Sequence, residues 1–244
     1  MCGLRVHSRT LHGAPPGAPP LVLVHGVCVS SRYMLPAAVA LAPDFAVRVP
    51  DLPGFGLSGR ASRPLAVRAL AEALIAWLDA AGIDRPALLG NSVGCQIAVE
   101  AALEAPDRVG PLILTGPTMD AAARAAAPQI ARWLRNARGE RLSQTPALAR
   151  DLADAGLRRP IALFRSALAQ PIEERLEGVT QPVLVTSGDR DPVVPERWAR
   201  RVAAAAPNGR YAELPGPHNT NYSEPYALAR ATCGFLAENR PGAD

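Results

Sequence analysis

The chain has 244 residues, of which 48% are apolar, 20% charged and 5% aromatic, a length that fits one large domain or a domain carrying an insert. Its basic residues are arginine throughout, with no lysine, which excludes an internal Schiff base and a phosphate-loop lysine. The formal net charge is +4, yet the arginines are spread along the chain instead of gathered in a tract, so a solvated surface is expected and nucleic-acid binding is not.

In chain order, residues 3–11 read as a short strand, followed by a proline-rich turn over 14–20. Residues 21–25 are a continuous apolar run, suited to a strand covered on both faces. Similar short runs at 45–51, 87–91, 110–115, 182–187 and 210–214 each end in Gly, Pro, Asp, Asn, Thr, Ser or Leu, next to loop-forming residues. Between them lie stretches of helical period at 35–41, 65–81, 93–105, 196–206 and 223–238; within the second, Leu70, Leu74, Trp77 and Leu78 draw an apolar stripe. The alternation predicts an α/β protein with a mostly parallel central sheet flanked by helices. Residues 119–179 break it: no strand-like run occurs there, and three helical patterns are punctuated by Pro128, Pro146, Pro160 and Pro171. So long a connection predicts a helical lid at 119–179 over a core made of 1–118 and 180–244.

No apolar run approaches the roughly 18 residues of a membrane helix, and the N-terminus lacks the apolar stretch of a signal peptide; a soluble, cytoplasmic protein is expected. Cys2, Cys28, Cys95 and Cys233 include no C-x-x-C pair, and His7, His12, His25 and His218 have no zinc-binding spacing. No metal and no cofactor are expected.

Gly90-Asn91-Ser92-Val93-Gly94 follows an apolar strand and opens a helix. This G-x-S-x-G spacing lets small residues flank a sharp turn that lifts the serine hydroxyl above the sheet. Downstream, Asp191 follows one strand and His218 the next, completing the order Ser, Asp, His. A serine hydroxyl is a poor nucleophile, so a histidine must take its proton and a carboxylate must hold the imidazole's tautomer. Asp189 competes with Asp191 for the acid role, and the pair also forms a D-x-D metal pattern with no third ligand nearby in sequence. Gly54-Phe55-Gly56-Leu57-Ser58-Gly59 matches the dinucleotide fingerprint, but residues 60–64 delay the helix whose N-terminus the pyrophosphate needs.

With Val24-His25-Gly26-Val27 and the block Asp51-Leu52-Pro53-Gly54-Phe55-Gly56-Leu57-Ser58, these motifs span nearly the whole chain, which resembles the α/β-hydrolase superfamily, in its lid-bearing esterase and meta-cleavage-product hydrolase-like branch. The resemblance implies Ser92 as nucleophile, His218 as general base, Asp191 as orienting acid, and an oxyanion hole from the backbone N–H groups of Val27 and Val93. It implies hydrolysis of a small, largely apolar carboxylic ester or lactone through an acyl-enzyme, with a small molecule as sole partner. C–C bond hydrolysis and non-hydrolytic acyl transfer or cyclisation are alternatives on the same fold, and a receptor without turnover is the alternative outside catalysis. Asn219 stands where meta-cleavage-product hydrolases commonly place a tryptophan, and Val27 and Val93 where perhydrolase-like relatives carry Phe and Met. Oligomeric state is not legible.

The remaining residues have blander readings. Cys95 is expected as a small buried hydrophobe, Cys28 as packing at the edge of an acyl pocket, and His25 as a structural histidine beneath the site. Ser30, Ser31 and Tyr33 sit in the loop after Cys28; Arg32 beside them is expected in a surface ion pair. In the lid, Ile130, Trp133 and Leu134 are expected on one face, with Arg132 and Arg135 turned away and Phe164 on the third helix.

Overall fold

The computed structural model describes residues 3–239. Seven strands, β1 (Ser8–Thr10), β2 (Pro20–Val24), β3 (Ala46–Pro50), β4 (Ala87–Asn91), β5 (Leu112–Thr115), β6 (Val183–Gly188) and β7 (Gly209–Leu214), form one sheet in the order β1-β3-β2-β4-β5-β6-β7. Only β1 runs antiparallel, against β3; the other neighbours are parallel. The first strand is thus much shorter than its expected span of 3–11.

The inner strands are apolar at successive positions because both faces are covered. Val22, Val24, Leu88, Leu112, Leu114, Val183 and Val185 point into a core completed by α2 (Val67–Ala80), α3 (Val93–Glu104) and α8 (Glu196–Ala205). Their neighbours Leu21, Leu23, Leu89, Ile113 and Leu184 meet α1 (Ser31–Leu41) and α10 (Pro225–Glu238) on the opposite face. Helix α1 starts four residues earlier than its apolar period suggests, because Ser30 caps it by accepting from the N–H of Arg32 at 3.3 Å. The last helical stretch divides into α9 (Thr220–Ser223) and α10, with Pro225 opening the latter.

Between β5 and β6 come four helices instead of the three expected: α4 (Ala126–Ala137), α5 (Thr145–Ala155), α6 (Arg158–Leu168) and α7 (Ile172–Leu176). Pro128, Pro146 and Pro160 lie in the first turns of α4, α5 and α6, where a missing N–H costs nothing, so these prolines start helices instead of breaking them.

At the junction of β4 and α3 the backbones crowd closely. A Cβ on Gly94 would collide with the carbonyl oxygen of Val24 and come within 2.8 Å of that of His25, whereas one on Gly234 in α10 would meet nothing within 4 Å. Gly94→Ala is therefore expected to lose about 1–3 kcal/mol or more through forced backbone shifts, and Gly234→Ala to gain about 0.5–1 kcal/mol from helix propensity. Urea unfolding of the two variants beside the parent checks both signs.

Candidate active site

Ser92 stands at the carboxyl end of the central strand β4, at φ 55° and ψ −121°, a positive-φ turn that throws its side chain off the sheet. The turn closes through Ser92 N–H donating to the Thr115 carbonyl at 3.0 Å and Cys95 N–H donating to the Ser92 carbonyl at 3.0 Å. A Cβ on Gly90 would lie 2.6 Å from the Gly94 carbonyl oxygen, and one on Gly26 3.1 Å from the Ser92 Cβ. These glycines let strand, helix and the neighbouring loop crowd around one serine.

Asp191 and His218 leave β6 and β7 at the same edge of the sheet, where open α/β sheets place their ligands. His218 Nδ1 meets Asp191 Oδ2 at 2.7 Å, and Asp191 Oδ1 accepts from the N–H groups of Val193 and Val194 at 2.7 and 3.0 Å. A carboxylate only accepts, so Nδ1 carries the proton and Nε2 presents its lone pair. That Nε2 is buried without a hydrogen-bond partner, and His218 lines the same cavity as Ser92. The ring lies over Gly116, where a Cβ would be 2.8 Å from His218 Cε1. Burial pulls the imidazole pKa down, but the charge and hydrogen bond of Asp191, with Glu140 adding, outweigh it and leave the pKa above the ordinary value of 6.5. Asp189 is turned elsewhere and accepts from Gly216 N–H at 2.7 Å.

The loop after β2 brings Val27 beside Ser92. Among the described residues, no backbone carbonyl accepts from the N–H of Val27 or Val93. Beneath the loop, His25 is fully buried; its Nε2 accepts from Leu52 N–H at 3.0 Å and its Nδ1 donates to the Gly26 carbonyl at 2.9 Å. Burial holds it neutral by lowering its pKa. Cys95 is buried, with its thiol on the carbonyls of Gly90 and Thr115. Cys28 borders the larger cavity, and burial pushes its thiol pKa up to about 11, far from a reactive thiolate.

Several placements differ from expectation. Arg32 forms ion pairs, but not on an open surface: it reaches Asp151 at 2.6 Å and Asp154 at 2.8 Å on α5, with Asp151 wholly buried. Asp151 also accepts from the N–H and hydroxyl of Ser30, so the loop beside Val27 is fastened to α5. On α4 the inward stripe is polar: Gln129 donates to the Ala123 carbonyl, Arg132 to Asp120, and Asn136 accepts from His218 N–H. Arg132 therefore does not turn to solvent, and Leu134 does not share the work of Ile130 and Trp133, which border the larger cavity. Phe164 borders it too.

Sequence reasoning missed the grip on the histidine loop. Glu140 accepts from Asn219 N–H at 2.9 Å and from Asn136 at 2.7 Å, and Gln144 accepts from the Asn219 amide at 2.9 Å. Glu140 and Gln144 lie 79 and 75 residues before Asn219 in the chain, and nothing local in the sequence marks them.

Fold and site together have the form of a hydrolase built on a parallel sheet. The family model described as "alpha/beta hydrolase fold" matches residues 19–158, and one described as "TAP-like protein" matches residues 163–241; the chain belongs to the alpha/beta-hydrolase fold family. It is 29% identical over 248 residues to RutD of Pseudomonas savastanoi pv. phaseolicola, a protein named for carbamate hydrolysis, covering 90% of this chain and 94% of the relative. It is 28% identical over 251 residues to the pimeloyl-acyl-carrier-protein methyl ester esterase of Edwardsiella ictaluri, covering 92% and 95%. Among solved structures, the enol-lactonase of Burkholderia xenovorans LB400 superposes with a TM-score of 0.77 at 22% identity, covering 97% of this chain and 98% of that one. Among the described residues, no helix is long and apolar enough to cross a membrane.

The His218 environment has a direct readout. Its imidazole is expected to titrate above 6.5 in an NMR pH series, and Asp191→Asn, which removes the charge and leaves burial in command, is expected to move that titration downward.

Proposed function

We propose that the chain is a serine hydrolase that cleaves carboxylic esters or lactones through an acyl-enzyme on Ser92, and that α4, α5 and α6 form the lid of its site. The observation that carries this reading is the pairing of His218 Nδ1 with Asp191, while Nε2 stays buried and unpartnered in the cavity that Ser92 lines. Family membership makes an enzyme acting on an ester or a related bond the coarser form of the same conclusion, and the ester, lactone and carbamate chemistry named for the relatives supports it.

In this mechanism Ser92 Oγ adds to the substrate carbonyl while its proton passes to His218 Nε2. The N–H groups of Val27 and Val93 take the oxyanion. His218 then returns the proton to the departing alkoxide as the carbon–oxygen bond breaks, leaving Ser92 acylated. Water attacks the acyl-enzyme with His218 again as base, and the acid leaves. Among the described residues, the Asp191 carboxylate hydrogen-bonds only the imidazole and the backbone of 193–194, so its part is to fix the tautomer and stabilise the imidazolium. No step calls for a cofactor.

A fluorophosphonate probe is expected to add one covalent label to the parent, located at Ser92 by peptide mass spectrometry, and none to Ser92→Ala. On a hydrolysed ester, Ser92→Ala is expected to lose roughly six orders of magnitude in kcat. Labelling of Ser92→Ala, or turnover close to the parent's, sinks the covalent mechanism. Because the base must be neutral, kcat/KM is expected to fall as pH drops through the raised pKa of His218, with the acid limb centred above 6.5.

A further inference from the structure

Ser92 stands between two compartments of different size. The smaller, about 160 Å³, holds His218 between apolar walls that include Tyr33, Trp133 and Leu148, with Asn136, Glu140, Gln144 and Asn219 at its edge. The larger, about 530 Å³, is bordered almost wholly by carbon and runs between α4, α5 and α6. At its rim Ile130, Leu157 and Ile161 are 48%, 67% and 49% exposed, an unusual concentration of bare apolar side chains for a soluble surface and the mark of a binding face. Val27, Ser92 and Trp133 belong to both compartments; His218 belongs to the smaller alone, and Val93 to the larger alone.

Proton bookkeeping assigns a direction to this asymmetry. When the tetrahedral intermediate collapses, His218 Nε2 hands its proton to the leaving oxygen, so that oxygen and its substituent must face His218. The acyl substituent then points the other way, past Val93 into the apolar trough. Resting on the serine-hydrolase reading above, we infer that the substrate is an ester joining a medium or long apolar acid to a short alcohol, the acyl chain in the trough and the alcohol in the smaller compartment beside His218. The trough lies within the range of pockets that enclose whole small molecules, so the acid is larger than the small substrate expected from sequence.

Two constitutional isomers test the orientation: 2-hydroxyethyl octanoate, with the chain on the acyl side, and octyl hydroxyacetate, with the same chain on the alcohol side. Each kcat/KM is divided by the ester's own hydroxide-catalysed rate to remove intrinsic reactivity. The octanoate is expected to be favoured by at least about tenfold, and kcat/KM among 2-hydroxyethyl esters to rise by up to about fourfold per methylene from butanoate to octanoate. Ile161→Asp, on the exposed rim, is expected to shrink the octanoate-to-butanoate ratio. Equal rates, or preference for octyl hydroxyacetate, overturn the orientation while Ser92-dependent hydrolysis keeps the enzyme reading intact. If neither isomer is turned over in a Ser92-dependent way and the fluorophosphonate probe also leaves Ser92 unlabelled, the hydrolase reading fails and the orientation with it. If the probe labels Ser92 but neither ester is cleaved, only the substrate class is overturned.

Discussion

Ser92 is held at φ 55° and ψ −121° between the end of β4 and the start of α3, a conformation that costs a non-glycine residue about 1–3 kcal/mol. The surroundings over-determine it. β4 is hydrogen-bonded to β2 on one side and β5 on the other, and α3 is buried along nearly its whole length, so neither the strand nor the helix can relax to relieve the turn between them. Glycine is required at 90 because β4 and α3 approach within contact distance there, and at 94 because α3 meets the carbonyls of Val24 and His25 at the end of β2. Everything else at the mouth is arranged around that fixed point: Val27 arrives from β2, Asp191 from β6 and His218 from β7, each on a loop at the carboxyl edge of the sheet.

What the sequence revealed and what it hid follow from the range of the interactions. The strand runs at 21–25, 87–91 and 182–187 were legible because burial on both faces needs consecutive apolar residues, a local signal. The elbow was legible because its steric demand falls on a pentapeptide. Asp191 and His218 were legible as loop residues after strands, and their geometry separates Asp191 from Asp189 through hydrogen bonds that spacing alone could not assign. Asp151, Glu140 and Gln144 were invisible because each acts on a partner far away in the chain: Asp151 meets Ser30 at a separation of 121 residues. A polar residue on an amphipathic helix ordinarily signals solvent, and on α4 that rule failed at Gln129 and Arg132, which bond the turn at 120–123, and at Asn136, which bonds the His218 loop.

The failure on α4 exposes how the segment between β5 and β6 is held. Its later part docks through apolar side chains, Leu163 and Ala167 of α6 and Ile172 and Leu176 of α7, which join the main core. Its earlier part is held by charged or polar contacts: Arg197 meets Asp120, which Arg132 also grips, Arg32 meets Asp151, and Asn136 and Glu140 take the backbone of 218–219. Asp120 and Asp151 are almost fully buried, and such pairs contribute little net stability because desolvation offsets the attraction, yet losing one partner leaves a buried charge and is expensive. They therefore fix position more than they strengthen the fold. Arginine suits this task better than lysine, since its planar fork engages both carboxylate oxygens, as Arg197 does on Asp120, Nη1 to Oδ1 at 3.2 Å and Nη2 to Oδ2 at 2.7 Å.

Anchoring by polar contacts has a consequence for the apolar side chains. Docked by its hydrophobic face, α4 would bury Ile130 and Trp133 against the core and close the trough beside Ser92. Docked by its polar stripe, it leaves those side chains at the rim and lining of an open cavity, about half exposed. Exposed apolar surface of this kind is stabilised only when something apolar covers it. Covering that area with an apolar ligand would release the free energy that packing α4 onto the core does not use. The opposite, polar side of the helix grips the loop carrying His218, where Asn136 and, just past the helix end, Glu140 accept from the N–H groups of His218 and Asn219.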